Sequence, residues 1–222
     1  MIQKKLPLEN VIKMKFVDLT HPLFNEMATY PSDPDISIIR EKDIETDNSL
    51  LHSFRMGTHT GTHLDAPAHV ILGGKTIDCF PLSSFTGTAV KIDKTTYNNL
   101  DQFEDEIDGV VYESGWSRYF YEPEVFYGPE RPQIPKELLE KVIELKITIF
   151  CCDLPSVDAS GSKKKPVHHA LLGKDIIVYE SLTNLNQLPL LMPFQFYGFP
   201  LVFVFHLILF LHPLLAYIQM NQ

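Results

Sequence analysis

The stretch from His59 to His69 reads HTGTHLDAPAH. In an extended chain, side chains alternate between two faces. His59, Gly61, His63, Asp65, Pro67 and His69 share one parity, while Thr60, Thr62, Leu64, Ala66 and Ala68 share the other. One face therefore carries imidazoles and a carboxylate, and the other carries small or apolar groups fit to pack inward. Gly61 and Pro67 are expected to bend the strand and curl the polar face inward. Either way, His59, His63 and Asp65 can converge on one point. Two neutral imidazoles and a carboxylate suit Zn²⁺ or Mn²⁺, with positions left for water. The competing reading is a half-buried strand whose histidines bond only to backbone. Three histidines and an aspartate on one parity weigh against it, because such clusters mark metal or catalytic sites.

The segments around this stretch read as short strands and few helices. Strands are expected at Ile36–Arg40, Ser53–His59, Thr86–Asp93, Asp108–Ser114, Ile147–Leu154 and Asp175–Leu182, all rich in β-branched or aromatic residues and bounded by Gly, Pro or Asp. A helix is expected from Pro135, with Leu138, Leu139, Val142, Ile143 and Leu145 as its apolar stripe. A shorter helix is expected over His168–Gly173, stopped by Gly173. The polar run SGSKKKP, Ser160 to Pro166, reads as a loop. The mixture implies an α/β class dominated by sheet, and 222 residues suit one large domain.

A formal net charge of −9 argues against a nucleic-acid partner and fits a small-molecule ligand. Cys79, Cys151 and Cys152, two of them adjacent, form no disulfide framework and suit a reducing, cytoplasmic compartment. The opening MIQKKLPLENVIKMKF lacks the continuous apolar region of a signal peptide. Glu180 is the last charged residue, and residues 181–222 contain no Asp, Glu, Lys or Arg. Within them, Phe196–Ile218 is long enough to span a bilayer. Pro200, Pro213, His206, His212 and the lack of a basic anchor oppose that reading, so membrane contact through the tail is left as the minor alternative.

The motif HxGTHxDxPxH resembles the signature of the metal-dependent cyclase family, which includes bacterial kynurenine formamidases. His59, Gly61, Thr62, His63, Asp65, Pro67 and His69 match every fixed position. DLTHPL (Asp18 to Leu23) resembles the family's opening strand and turn. SGWSRYF (Ser114 to Phe120) and DLPSVD (Asp153 to Asp158) resemble its internal motifs, and His168 to Pro189 its last metal-binding segment. The likeness covers roughly Phe16 to Leu201. It implies a swivelling β/β/α fold and a domain over residues 1–201, followed by an atypical apolar tail at 202–222. It also implies a homodimer or homotetramer. The implied activity is metal-dependent hydrolysis of an amide, as in an arylformamidase. His59, His63 and Asp65 would bind a first metal, His168 and Glu180 would complete a second site, and Asp65 and Glu180 would bridge. Zinc is the implied ion at both sites, with manganese as an alternative. His69 would carry protons without binding metal, a task suited to an unligated histidine beside the metal.

Two features depart from the family pattern. An aromatic residue, often Trp, precedes Pro in the substrate wall of the formamidases, and here Tyr30 precedes Pro31. Tyr can still stack on an aryl ring. The usual charged turn and final strand are absent after Leu201. Two alternatives to the formamidase reading follow. One is an isatin hydrolase-like enzyme opening a cyclic amide or lactone. The other, from a different class, is an inactive metal-binding or membrane-attached interaction protein, against which the intact His69 argues.

Overall fold

The computed structural model describes residues 15–201 and the backbone of residues 215–218. Among the described residues ten strands are formed: β1 Lys15–Asp18, β2 Ser37–Lys42, β3 Leu51–Arg55, β4 His63–Asp65, β5 Thr86–Asp93, β6 Gly109–Glu113, β7 Ile149–Cys152, β8 Ile177–Glu180, β9 Pro193–Tyr197 and β10 Leu215–Ile218. Eight of them build one sheet in the order β1-β10-β9-β5-β6-β7-β8-β4, and β2 and β3 pair as a separate hairpin. The central pairs β5–β6, β6–β7 and β7–β8 are parallel. The flanking pairs β4–β8, β5–β9, β9–β10 and β1–β10 are antiparallel. The α/β class expected from the sequence, mainly sheet with few helices, is the one observed.

Parallel neighbours need crossovers, and two of these carry the longer helices. The helix Lys136–Glu144 lies between β6 and β7, and the helix Pro166–Leu172 lies between β7 and β8. Leu138 and Val142 of the first and Leu171 and Leu172 of the second join one buried cluster with Val90, Val110, Phe150 and Val178 of the strands. Strand residues of the other parity, among them Val111, Cys151 and Tyr179, join a second cluster with Leu19, Leu64, Leu185 and Phe196. The sheet is thus buried on both faces, which is why β6, β7 and β8 read as near-continuous apolar runs.

Several expectations shift at their edges. The strand predicted over Ser53–His59 ends at Arg55, because Gly57 onward turns. The opening strand is Lys15–Asp18, one segment before most of DLTHPL. β9, at Pro193–Tyr197, lies inside the charge-free region, where no strand was expected beyond Leu182. The tail was expected to lack a final strand. Leu215–Ile218 nevertheless forms β10, hydrogen-bonded between β1 and β9. The other residues of the proposed membrane segment beyond Leu201 lie outside the described residues. Among the described residues, no helix is long and apolar enough to cross a membrane.

Candidate metal centre

β4 is the edge strand beside β8, and its register sets His63 opposite Glu180 and Asp65 opposite Val178. Leu64 points into the second cluster. His63 and Asp65 must therefore point to the face where Val178 and Glu180 lie. The helix Pro166–Leu172 packs on that same face and presents His168 to them. Asp65, His63, His168 and Glu180 are all buried. His168 Nε2 lies 3.1 Å from Asp65 Oδ2 and 3.2 Å from Glu180 Oε1. His63 Nε2 lies 3.3 Å from Glu180 Oε2, and His59 Nδ1 lies 3.2 Å from Asp65 Oδ1.

The expectation of one extended strand holds only for His63–Asp65. Gly61 takes a positive φ of 66°, and a Cβ there would also lie 2.9 Å from Leu23 Cδ2, so the turn needs glycine. That turn brings His59 back over the strand. Pro67 opens a 3₁₀ turn through His69, which returns the third histidine. The ring centroids of His59 and His69 are 4.3 Å apart, and those of His69 and His168 are 5.1 Å apart. Each sequence-predicted ligand and His69 thus reaches one place, but folding rather than strand parity delivers His59 and His69. Tyr30 lines the same cavity, of about 280 Å³, edge-on to Tyr127 at 5.8 Å. His169, beside His168, is exposed and takes no part.

Hydrogen bonds orient the rings. His63 Nδ1 lies 2.9 Å from the Gly61 carbonyl, which leaves Nε2 facing the acids. His168 Nδ1 lies 2.6 Å from Asp158 Oδ2, which leaves its Nε2 between Asp65 and Glu180. Asp158 also accepts from the backbone N–H groups of Val167 and His168, fixing the start of their helix. Such outer carboxylates are the usual partners of metal-binding imidazoles. Within DLPSVD, nothing local to the sequence marks Asp158 for this task. Its one available signal was an acid ten residues before a candidate ligand. Glu180 Oε1 accepts from the Val157 N–H at 2.7 Å, so the same loop holds both ligands.

The charges are strongly coupled. Burial pulls the His63 imidazole down, but the Glu180 carboxylate beside it and the charge of Asp65 carry it to about 9. Burial also opposes the ionised acids. Even so, the neighbouring imidazoles hold Asp65 well below its ordinary value and bring Glu180 to about 2. His69 differs: burial pushes it down to about 4. Its Nε2 lies 2.8 Å from Lys165 Nζ and accepts from that ammonium.

The donor atoms suit a cation. His63 Nε2 and Asp65 Oδ1 are buried without hydrogen-bond partners and lie 3.9 Å apart. Ligand atoms of His63, Asp65 and Glu180 lie within 4.8 Å of one another, as do those of His59, Asp65 and His69. Two imidazole–carboxylate groups sharing Asp65 fit borderline divalent metals.

A family model described as "Putative cyclase" matches residues 17–159. The chain belongs to the cyclase family. A kynurenine formamidase of Salinibacter ruber is 30% identical over 186 residues, covering 79% of this chain and 86% of that protein. Isatin hydrolase A from Ralstonia solanacearum shares the fold with a TM-score of 0.77 at 23% identity, covering 92% of each chain. A potential metal-dependent hydrolase with cyclase activity is similar with a TM-score of 0.71 at 21% identity, over 94% of this chain and all of the other. The cyclase-like fold expected from the motif is therefore the fold of this chain.

Proposed function

We propose that this chain is a metal-dependent amidohydrolase that cleaves N-formyl aryl amines, as the name of its formamidase relative suggests. The observation that carries the reading is the buried set His63, Asp65, His168 and Glu180, with two polar atoms left without partners. His59, His63 and Asp65 would hold one ion, with His168 and Glu180 completing a second site and Asp65 and Glu180 bridging. Zinc or manganese suits these donors. A bound ion would act as a Lewis acid and lower the pKa of its water toward neutrality. His69 holds no metal in this reading. Burial keeps the ring neutral, and its Nε2, now accepting from Lys165, would take a proton from the attacking water once that contact is released. His69 then returns that proton to the leaving nitrogen as the C–N bond breaks, releasing carboxylic acid and amine. Tyr30 and Tyr127 offer aromatic walls to an aryl substrate. Free cysteines fit a cytoplasmic setting. A homodimer or homotetramer, small-molecule substrates and the absence of nucleic-acid partners complete the proposal.

The test is metal analysis of purified protein together with turnover of formanilide, N-formylkynurenine, isatin and simple lactones. Formamide cleavage that is lost on chelation and restored by zinc or manganese is expected. Turnover of isatin alone would move the assignment to cyclic amides. His63→Ala and Asp65→Ala should lose tight metal binding and activity together. Full metal content in either variant would sink the ligand assignment.

A further inference from the structure

The cavity beside the metal cluster is lined by both signs of charge, but its two buried acids are already engaged. Asp158 serves His168 and its helix, and Glu180 serves His63 and His168. Asp33 accepts from the Ser32 hydroxyl. Two cations on the same wall, Arg131 and Lys165, have no carboxylate partner among the described residues.

Arg131 is 4% exposed. Its Nη2 donates to the Asp158 carbonyl at 2.7 Å, while Nε and Nη1 are buried without any hydrogen-bond partner. A buried guanidinium with two idle donors is costly unless an anion or water completes it. Arg is also the side chain whose donors best match a carboxylate. Lys165 is half-buried and donates to His69 Nε2. Its backbone is left-handed, with a φ of 43°, a conformation that disfavours a residue with a side chain. Strain of this kind collects at functional sites.

Resting on the amidohydrolase reading, we infer that Arg131 and Lys165 together hold an anionic group of the substrate, so that the amide cleaved here carries a carboxylate. The cation pair would bind that carboxylate while the scissile amide faces His69 and the metal ligands.

The experiment compares 2-formamidobenzoate with uncharged formanilide in metal-loaded wild type, Arg131→Met and Arg131→Lys. The wild type should show at least about ten-fold higher kcat/KM for the anionic substrate. Arg131→Met should cut that ratio about ten-fold or more, chiefly through KM, and Arg131→Lys should restore part of it. Equal losses toward both substrates would mark Arg131 as a structural tie to Asp158 and overturn the inference. So would a wild type without preference. If the wild type cleaves neither substrate, it is the formamide reading that fails, and calorimetric binding of 2-aminobenzoate against aniline decides this one. A wild-type preference for the anion that disappears in Arg131→Met supports it, and the lack of any such difference refutes it.

Discussion

His69 stands among residues shaped for metal and yet is electrostatically unlike them. The charges of Asp65 and Glu180 raise the pKa of His63, whereas burial lowers that of the His69 ring to about 4. The amide proton-transfer step needs a proton carrier close to the reacting atoms and not tied to the metal. His69→Ala should therefore keep its metal and lose about 10²–10⁴-fold in kcat, the usual range for one acid–base group. Metal content by mass spectrometry beside steady-state kinetics checks both halves. Loss of stoichiometric metal would make His69 a ligand, a role its closeness to His59 and Asp65 also permits geometrically.

At the scale of elements, the site depends on how one short helix is anchored. Pro166–Leu172 has two turns at most and little stability of its own. Leu171 and Leu172 bury its apolar side, and Asp158 accepts two of its first backbone N–H groups and the His168 Nδ1–H. Asp158→Asn keeps the size but removes the charge and one lone-pair acceptor of the imidazole. Metal affinity should fall about 10–100-fold, as for other second partners of metal-bound histidines. Competition with a chromophoric chelator measures it. An unchanged affinity would mean that packing alone orients His168.

At the scale of the whole molecule, the segment after β1 is stitched to the β8–β4 edge of the sheet. The His21 N–H donates to Thr62 Oγ1, which donates to the Ser181 carbonyl, and the Thr183 N–H reaches the Leu19 carbonyl. The His21 ring stacks on Phe120 at 3.6 Å between centroids, and its Nε2 has no partner. Burial brings its pKa down from 6.5 to about 4. The depressed value fixes the sign: the stabilising term is present above pH 6.5 and is lost as pH falls through about 4. At full protonation the native state forfeits about 3 kcal/mol from this group. His21→Phe keeps the stack without a titrating nitrogen. Its unfolding free energy in urea should fall less than that of the wild type between pH 7 and pH 4. Parallel losses in the two proteins would remove His21 from the acid response.

Much of this molecule can be read along the chain, where the information is local. The period-two spacing of His63, Leu64 and Asp65 determines which side chains meet the core and which meet the cavity. The apolar stripe of Leu138 and Val142 determines a helix and its buried face. Gly61 and Pro67 mark the bends that curl the motif. Other features depend on contacts between residues far apart in sequence. His63 faces Glu180 because β4 adds antiparallel to the edge of β8, and no local preference sets that partner. Asp158 and Arg131 acquire their tasks only when the loop after β7 closes over the helix Pro166–Leu172. β10 takes its place because the strands on either side of it offer unpaired backbone edges. Spacing along a chain sets the direction of each side chain. Which distant groups share a desolvated cavity, and so which charges must be compensated, is decided only when the sheet is assembled.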